Sequence, residues 1–77
     1  LEPYPSKDIE QILLRAAVRL QVALESTAAA LCAGRSRGTP RVALRILRRV
    51  RDLAQMQQKA SIDVPVAEEA LQRLRID

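Results

Sequence analysis

Residues 39–52 read TPRVALRILRRVRD, and this stretch decides the fold. Val42, Ala43, Ile46, Leu47 and Val50, continued by Leu53 and Ala54, recur at the spacing that puts apolar side chains on one face of a helix. Arg41, Arg45, Arg48 and Asp52 fall on the opposite side as a polar ridge. Thr39 is a natural N-cap and Pro40 a natural first helical residue. The pattern predicts a helix from Pro40 to about Gln57. Arg41 is the odd residue in it. It sits in the first turn, where the helix dipole already carries roughly half a positive charge and favours anions.

Working outward, the same periodicity predicts three more helices. Pro3-Tyr4-Pro5 is extended, because each proline disfavours the helical region in the residue before it. Ser6 then caps a helix reaching about Leu24, with Ile9, Ile12, Leu13, Ala16, Ala17, Leu20 and Leu24 on its core face. A second stripe, Leu14, Val18 and Val22, is a candidate docking surface. Ser26 caps a short alanine-rich helix that stops at Gly34. Beyond Lys59-Ala60-Ser61-Ile62, Asp63 caps a last helix with Val64, Ala67, Ala70, Leu71 and Leu74 on one face. No segment alternates as a strand does. The expected fold is all-α, a single four-helix domain over residues 1–77.

The 77-residue chain has no histidine, one cysteine and one aromatic residue. That excludes a His-based triad, a Cys–His pair and a Cys/His zinc site. Scattered carboxylates such as Asp8, Glu10, Glu68 and Glu69 suit helix starts and surfaces and need no catalytic role. A lone thiol, Cys32, fits a reducing cytosolic setting and reads as a small buried apolar residue. No apolar run approaches the roughly 18 residues of a membrane span. The start has neither a signal peptide's pattern nor an initiator Met, so the chain reads as excised from a longer one. A core this small contributes only about 3–5 kcal/mol net.

Net charge is +4, but from Arg35 to Arg51 there are seven arginines and no acid. The remaining residues balance at −3. That segment therefore faces something anionic. Around Arg41, with Gly38 supplying backbone freedom, a phosphate at the helix start is one reading and a solvated side chain the other. The Arg45/Arg48 ridge admits DNA phosphates, an acidic protein, or a plain exposed face with an Arg48–Asp52 pair. With no aromatic residue interleaved, base stacking on single strands is not expected. Tyr4 either anchors a hinge or stacks on a flat ligand such as a nucleobase.

The run Arg35-Ser36-Arg37-Gly38-Thr39-Pro40-Arg41, continuing to Asp52, resembles the lid segment of the RuvB family of AAA+ branch-migration motors. Leu1-Glu2-Pro3-Tyr4 with Asp8-Ile9 is similar to the point where such motors leave their ATPase subdomain. Ala70-Leu71 through Ile76-Asp77 is similar to the end of their small helical lid. Glu25 to Ala33 departs most from the pattern. The resemblance implies a four-helix AAA+ lid in which Arg41 is the sensor-2 arginine reaching nucleotide phosphates. Tyr4 then lies near the adenine, and Pro40 lines the same pocket.

The resemblance further implies ATP or ADP with Mg²⁺ in the parent chain, and a bacterial cytoplasmic setting. Its implied partners are the parent's own ATPase subdomain, neighbouring subunits of a hexameric ring, Holliday junction DNA and the junction-binding protein RuvA, with no membrane. The Gly-rich phosphate loop, the Mg²⁺-holding acids and the arginine finger are missing from these residues, so the segment alone is not expected to hydrolyse ATP. The competing reading is an Arg-rich helical module that binds nucleic acid directly.

Overall fold

The computed structural model describes residues 4–74, and the extended reading of Pro3 lies outside them. Four helices follow in order: α1 Ser6–Leu20, α2 Ser26–Arg35, α3 Pro40–Met56 and α4 Val64–Leu74. The all-α expectation holds. α3 buries Ala43, Ile46, Leu47, Val50, Leu53 and Ala54, the face read from its periodicity except for Val42, which is half-buried at its edge. They meet Ile9 and Leu13 of α1, Ala67, Ala70 and Leu71 of α4, and the small residues Ala28, Cys32 and Ala33 of α2. Small side chains let α2 come close to the other helices. Among the described residues no helix is long and apolar enough to cross a membrane.

α1 is shorter than its apolar pattern predicts. It ends at Leu20, and Gln21 turns left-handed at φ 59°. The Val22 N–H donates to the Ala17 carbonyl at 3.0 Å and the Gln21 N–H to Val18 at 3.1 Å, the two bonds of a Schellman stop. α3 ends the same way. Gln58 is left-handed at φ 56°, with the Lys59 N–H donating to Ala54 at 2.9 Å and the Gln58 N–H to Gln55 at 3.1 Å. Glycine is the usual residue at such a position, and a side chain there costs roughly 1–2 kcal/mol. With glutamine in its place at position 21, the sequence carries no visible stop for α1, whereas α3 ends at Met56, within a residue of its reading. Val22 consequently turns in against the core, and the proposed outer stripe shrinks to Leu14 and Val18, the latter 75% exposed.

Just past the two Schellman turns, the linkers join. The Ile62 N–H donates to Ala23 at 2.7 Å and the Glu25 N–H donates to Ile62 at 3.0 Å, an isolated parallel bridge between Leu24 and Ile62. Ile62, read from sequence as a linker residue, is only 1% exposed and joins the core. Val66 is likewise buried in α4, whereas Val64 is half-buried.

The remaining caps differ in kind. Asp63 caps α4 as expected, its Oδ1 accepting the Val66 N–H at 3.1 Å. Ser6 and Ser26 instead lie inside their helices, behind Pro5 and Glu25 as N-caps. Gly34 is helical, and α2 runs on to Arg35. Ser36 follows it, buried, its hydroxyl donating to the Ala33 carbonyl at 2.7 Å. Glu69 ties α4 to the end of α3 by accepting Gln57 Nε2 and Arg73 Nη2, both at 2.9 Å. The Gln57 hydrogen bond first, and then Arg73, hold its carboxyl below the usual carboxylate range.

Candidate functional site

The residues that open α3 sit on a tight turn. The Thr39 N–H donates to the Ser36 carbonyl at 3.1 Å, and the two residues between them, Arg37 at φ 55° and Gly38 at φ 77°, are both left-handed. Two consecutive positive φ angles closed by that bond make a type I′ turn. Glycine supplies one of them without strain; Arg37 does not. Gly38 also accepts the Tyr4 N–H at 3.1 Å. That bond lays the start of the chain against the turn, so Tyr4 comes to the same corner as Pro40 and Arg41. Nothing in the sequence signals this bond, which joins residues far apart in the chain.

Thr39 is the N-cap residue, extended at φ −109° and ψ 105°, but its side chain makes no capping hydrogen bond. The Ala43 N–H donates to the Thr39 carbonyl at 3.0 Å; the Arg41 and Val42 N–H groups find no backbone acceptor among the described residues. Pro40 has no N–H. The first turn of α3 thus offers two outward donors and the positive end of its dipole, with the exposed Arg41 side chain beside them. An anion is the ligand that such a corner suits. Tyr4 is 53% exposed.

The far ridge of α3 is as expected in exposure. Arg41, Arg45, Arg48 and Asp52 all face solvent. The expected Arg48–Asp52 pair is replaced by Arg51 Nη2 to Asp52 Oδ1 at 3.1 Å. Cys32 is buried, and burial pushes its thiol up to about 11, so the nucleophilic thiolate is scarce near neutral pH. Among the described residues no cluster of three or more His, Cys, Asp or Glu could hold a metal ion.

Residues 4–77 match the family described as the RuvB AAA lid domain. The chain belongs to that family. It is 48% identical over its whole length to the Holliday junction branch migration complex subunit RuvB of Thermosipho melanesiensis, of which it covers 25%. The Thermotoga maritima RuvB Holliday junction branch migration motor has the same fold over the full chain, with a TM-score of 0.97 at 38% identity and 26% of that protein covered. A proline-to-glycine variant of the Thermotoga protein superposes equally, at 0.97 and 36% identity. This RuvB lid therefore spans about a quarter of the length of the relatives it matches.

Proposed function

We propose that this lid is the nucleotide-sensing part of an ATP-driven Holliday junction branch-migration motor in a bacterial cytoplasm, with residues 1–77 forming one domain of a longer chain. The observation that carries the reading is the uncapped start of α3. Thr39 leaves the Arg41 and Val42 N–H groups open, and Arg41 stands beside them. The bond from Tyr4 to Gly38 adds an aromatic ring to that corner. Phosphate charge satisfies the donors and the guanidinium together, and a nucleobase satisfies the ring. In the parent chain the nucleotide, with Mg²⁺, supplies a phosphate charge that changes on hydrolysis. Arg41 is the sensor-2 residue, while Tyr4 and Pro40 complete the adenine side.

The lid is half of a clamp whose other half is the parent's ATPase subdomain. Because Arg41 holds phosphate charge in one nucleotide state more strongly than in another, the lid changes its angle to that subdomain through the cycle. Leu14 and Val18 form the apolar contact with the core or with the neighbouring subunit of a hexameric ring. Holliday junction DNA and RuvA are engaged by other domains of the parent.

Titrating ADP into the 77-residue chain while following backbone amides by NMR is expected to move Tyr4, Gly38, Arg41 and Val42, weakly but saturably. Movement of Arg45, Arg48, Arg49 and Arg51 with a short duplex, strongly salt-dependent and without any response to ADP, would falsify the nucleotide-sensing role in favour of direct nucleic-acid binding by this lid.

A further inference from the structure

A groove between α1 and α3, which shares no lining residue with the Tyr4–Arg41 corner, has an aliphatic floor and a cationic rim. It consists of two adjoining hollows of about 220 and 210 Å³ that share Ala16, Arg19 and Leu44. Ile12 extends the floor of the first, and Leu20 and Leu47 that of the second. Ile12, Ala16 and Leu20 are successive i, i+4 positions on α1, so the hollows are offset by about one helical turn, roughly 5–6 Å. Arg15 and Arg19 stand on the α1 side and Arg48 on the α3 side.

No acid lines either hollow. The ion pairs formed among the described residues engage Arg51, Lys59 and Arg73, and none of the three rim arginines. Arg15 and Arg19, at i, i+4, repel one another along the helix. An excess of unpaired positive charge over an apolar floor is complementary to one kind of surface.

We propose that this groove docks an acidic amphipathic helix of a partner protein, which seats two apolar side chains one turn apart in the two hollows and presents carboxylates to Arg15, Arg19 and Arg48. A phosphodiester backbone satisfies the arginines but has nothing to cover Leu44, Ala16 and Leu20. The groove also has no aromatic residue on which a base could stack. A helix with leucines at i and i+4 covers the floor, and glutamates beside them reach both edges. The inference is independent of nucleotide binding at Arg41.

The test uses the 77-residue chain and a designed helical peptide of about 15 residues carrying leucines at i and i+4 flanked by glutamates. Binding is followed by NMR and by fluorescence anisotropy. The glutamate peptide is expected to move the amides of Ala16, Leu44 and Leu47, and its glutamine counterpart to bind about tenfold more weakly. The double variant Arg19→Glu/Arg48→Glu is expected to abolish binding with an unchanged helical circular dichroism spectrum. Should that variant misfold, Arg19→Gln/Arg48→Gln removes the charge without reversing it and is expected to weaken binding severalfold. Three results would overturn the proposal: no movement at those residues, equal binding of the glutamine peptide, or displacement of the peptide by a short duplex DNA acting on the same amides.

Discussion

Replacing Arg41 with alanine in a full-length motor that carries this lid is expected to lower ATP turnover by about 10²–10³-fold, the usual cost of removing one preorganised donor from developing phosphate charge. The size of the effect follows from where the guanidinium sits. It lies beside open N–H groups at the positive end of a 17-residue helix, a position that costs free energy unless an anion is present. Arg41→Lys is expected to recover only part of the rate, because an ammonium keeps the charge but loses the planar fork. Arg45→Ala, one turn further on and also exposed, should leave the rate within about twofold, since helix-end effects fade within the first turn. A steady-state ATPase assay checks all three variants. Equal losses for Arg41 and Arg45 would mean that a diffuse basic face, rather than one residue, does the sensing.

The second large effect is on stability and lies at Ile62. Truncating a buried Ile to Ala costs about 2–5 kcal/mol, and a domain of this size has about 3–5 kcal/mol net to lose. Ile62→Ala is therefore expected to leave the isolated chain substantially unfolded at 25 °C. Ile62→Val, at about 0.5–1.5 kcal/mol, should only lower the urea midpoint. The residue is 1% exposed and also carries both backbone bonds of the bridge to Ala23 and Glu25. Loss of its side chain loosens the only place where the α1–α2 and α3–α4 linkers are joined among the described residues. Val18→Ala, on the exposed side of α1, is the control and should shift stability by no more than about 0.5 kcal/mol. Urea unfolding followed by circular dichroism decides the matter; a cooperative Ile62→Ala transition at the wild-type midpoint would show that the linker clip is dispensable.

What could be read from the sequence was whatever periodicity and local cap chemistry encode. The helix opening at Pro40, all of its core face but Val42, and the Asp63 cap are each local in sequence and each recovered in the structure. The misses have physical causes. Gln21 and Gln58 occupy left-handed positions normally signalled by glycine, so α1 was read through to Leu24. Ile62 looked like part of a polar linker, because a single apolar residue has no period to reveal its direction. Val66 sits one step off the stripe assigned to α4, in a helix too short for the pattern to choose between adjacent faces. Asp52 pairs with its neighbour Arg51 instead of with Arg48 one turn back, a choice between exposed partners that differ by only a few tenths of a kcal/mol.

The candidate site was legible as residues but not as a place. Arg41 was conspicuous because its charge conflicts with the helix dipole, and that conflict is local. Its assembly with Tyr4 depends on one backbone bond to Gly38, across 34 residues of chain, and on a type I′ turn that holds Arg37 left-handed. The silent Thr39 side chain is the other unreadable element. Thr-Pro at a helix start predicts a filled cap, whereas here the Thr39 side chain makes no capping hydrogen bond and the Arg41 and Val42 N–H groups stay open.

The most direct measurement is the distance between this lid and its ATPase subdomain in a full-length motor, read by double electron–electron resonance between one spin label on each. With a non-hydrolysable ATP analogue and then with ADP, the wild-type motor is expected to show two distinct distances, and Arg41→Ala to show the same single distribution in both. An Arg41→Ala motor whose lid still moves between the two nucleotide states as the wild type does would contradict the account, because the charge at the start of α3 would then not be what the lid senses.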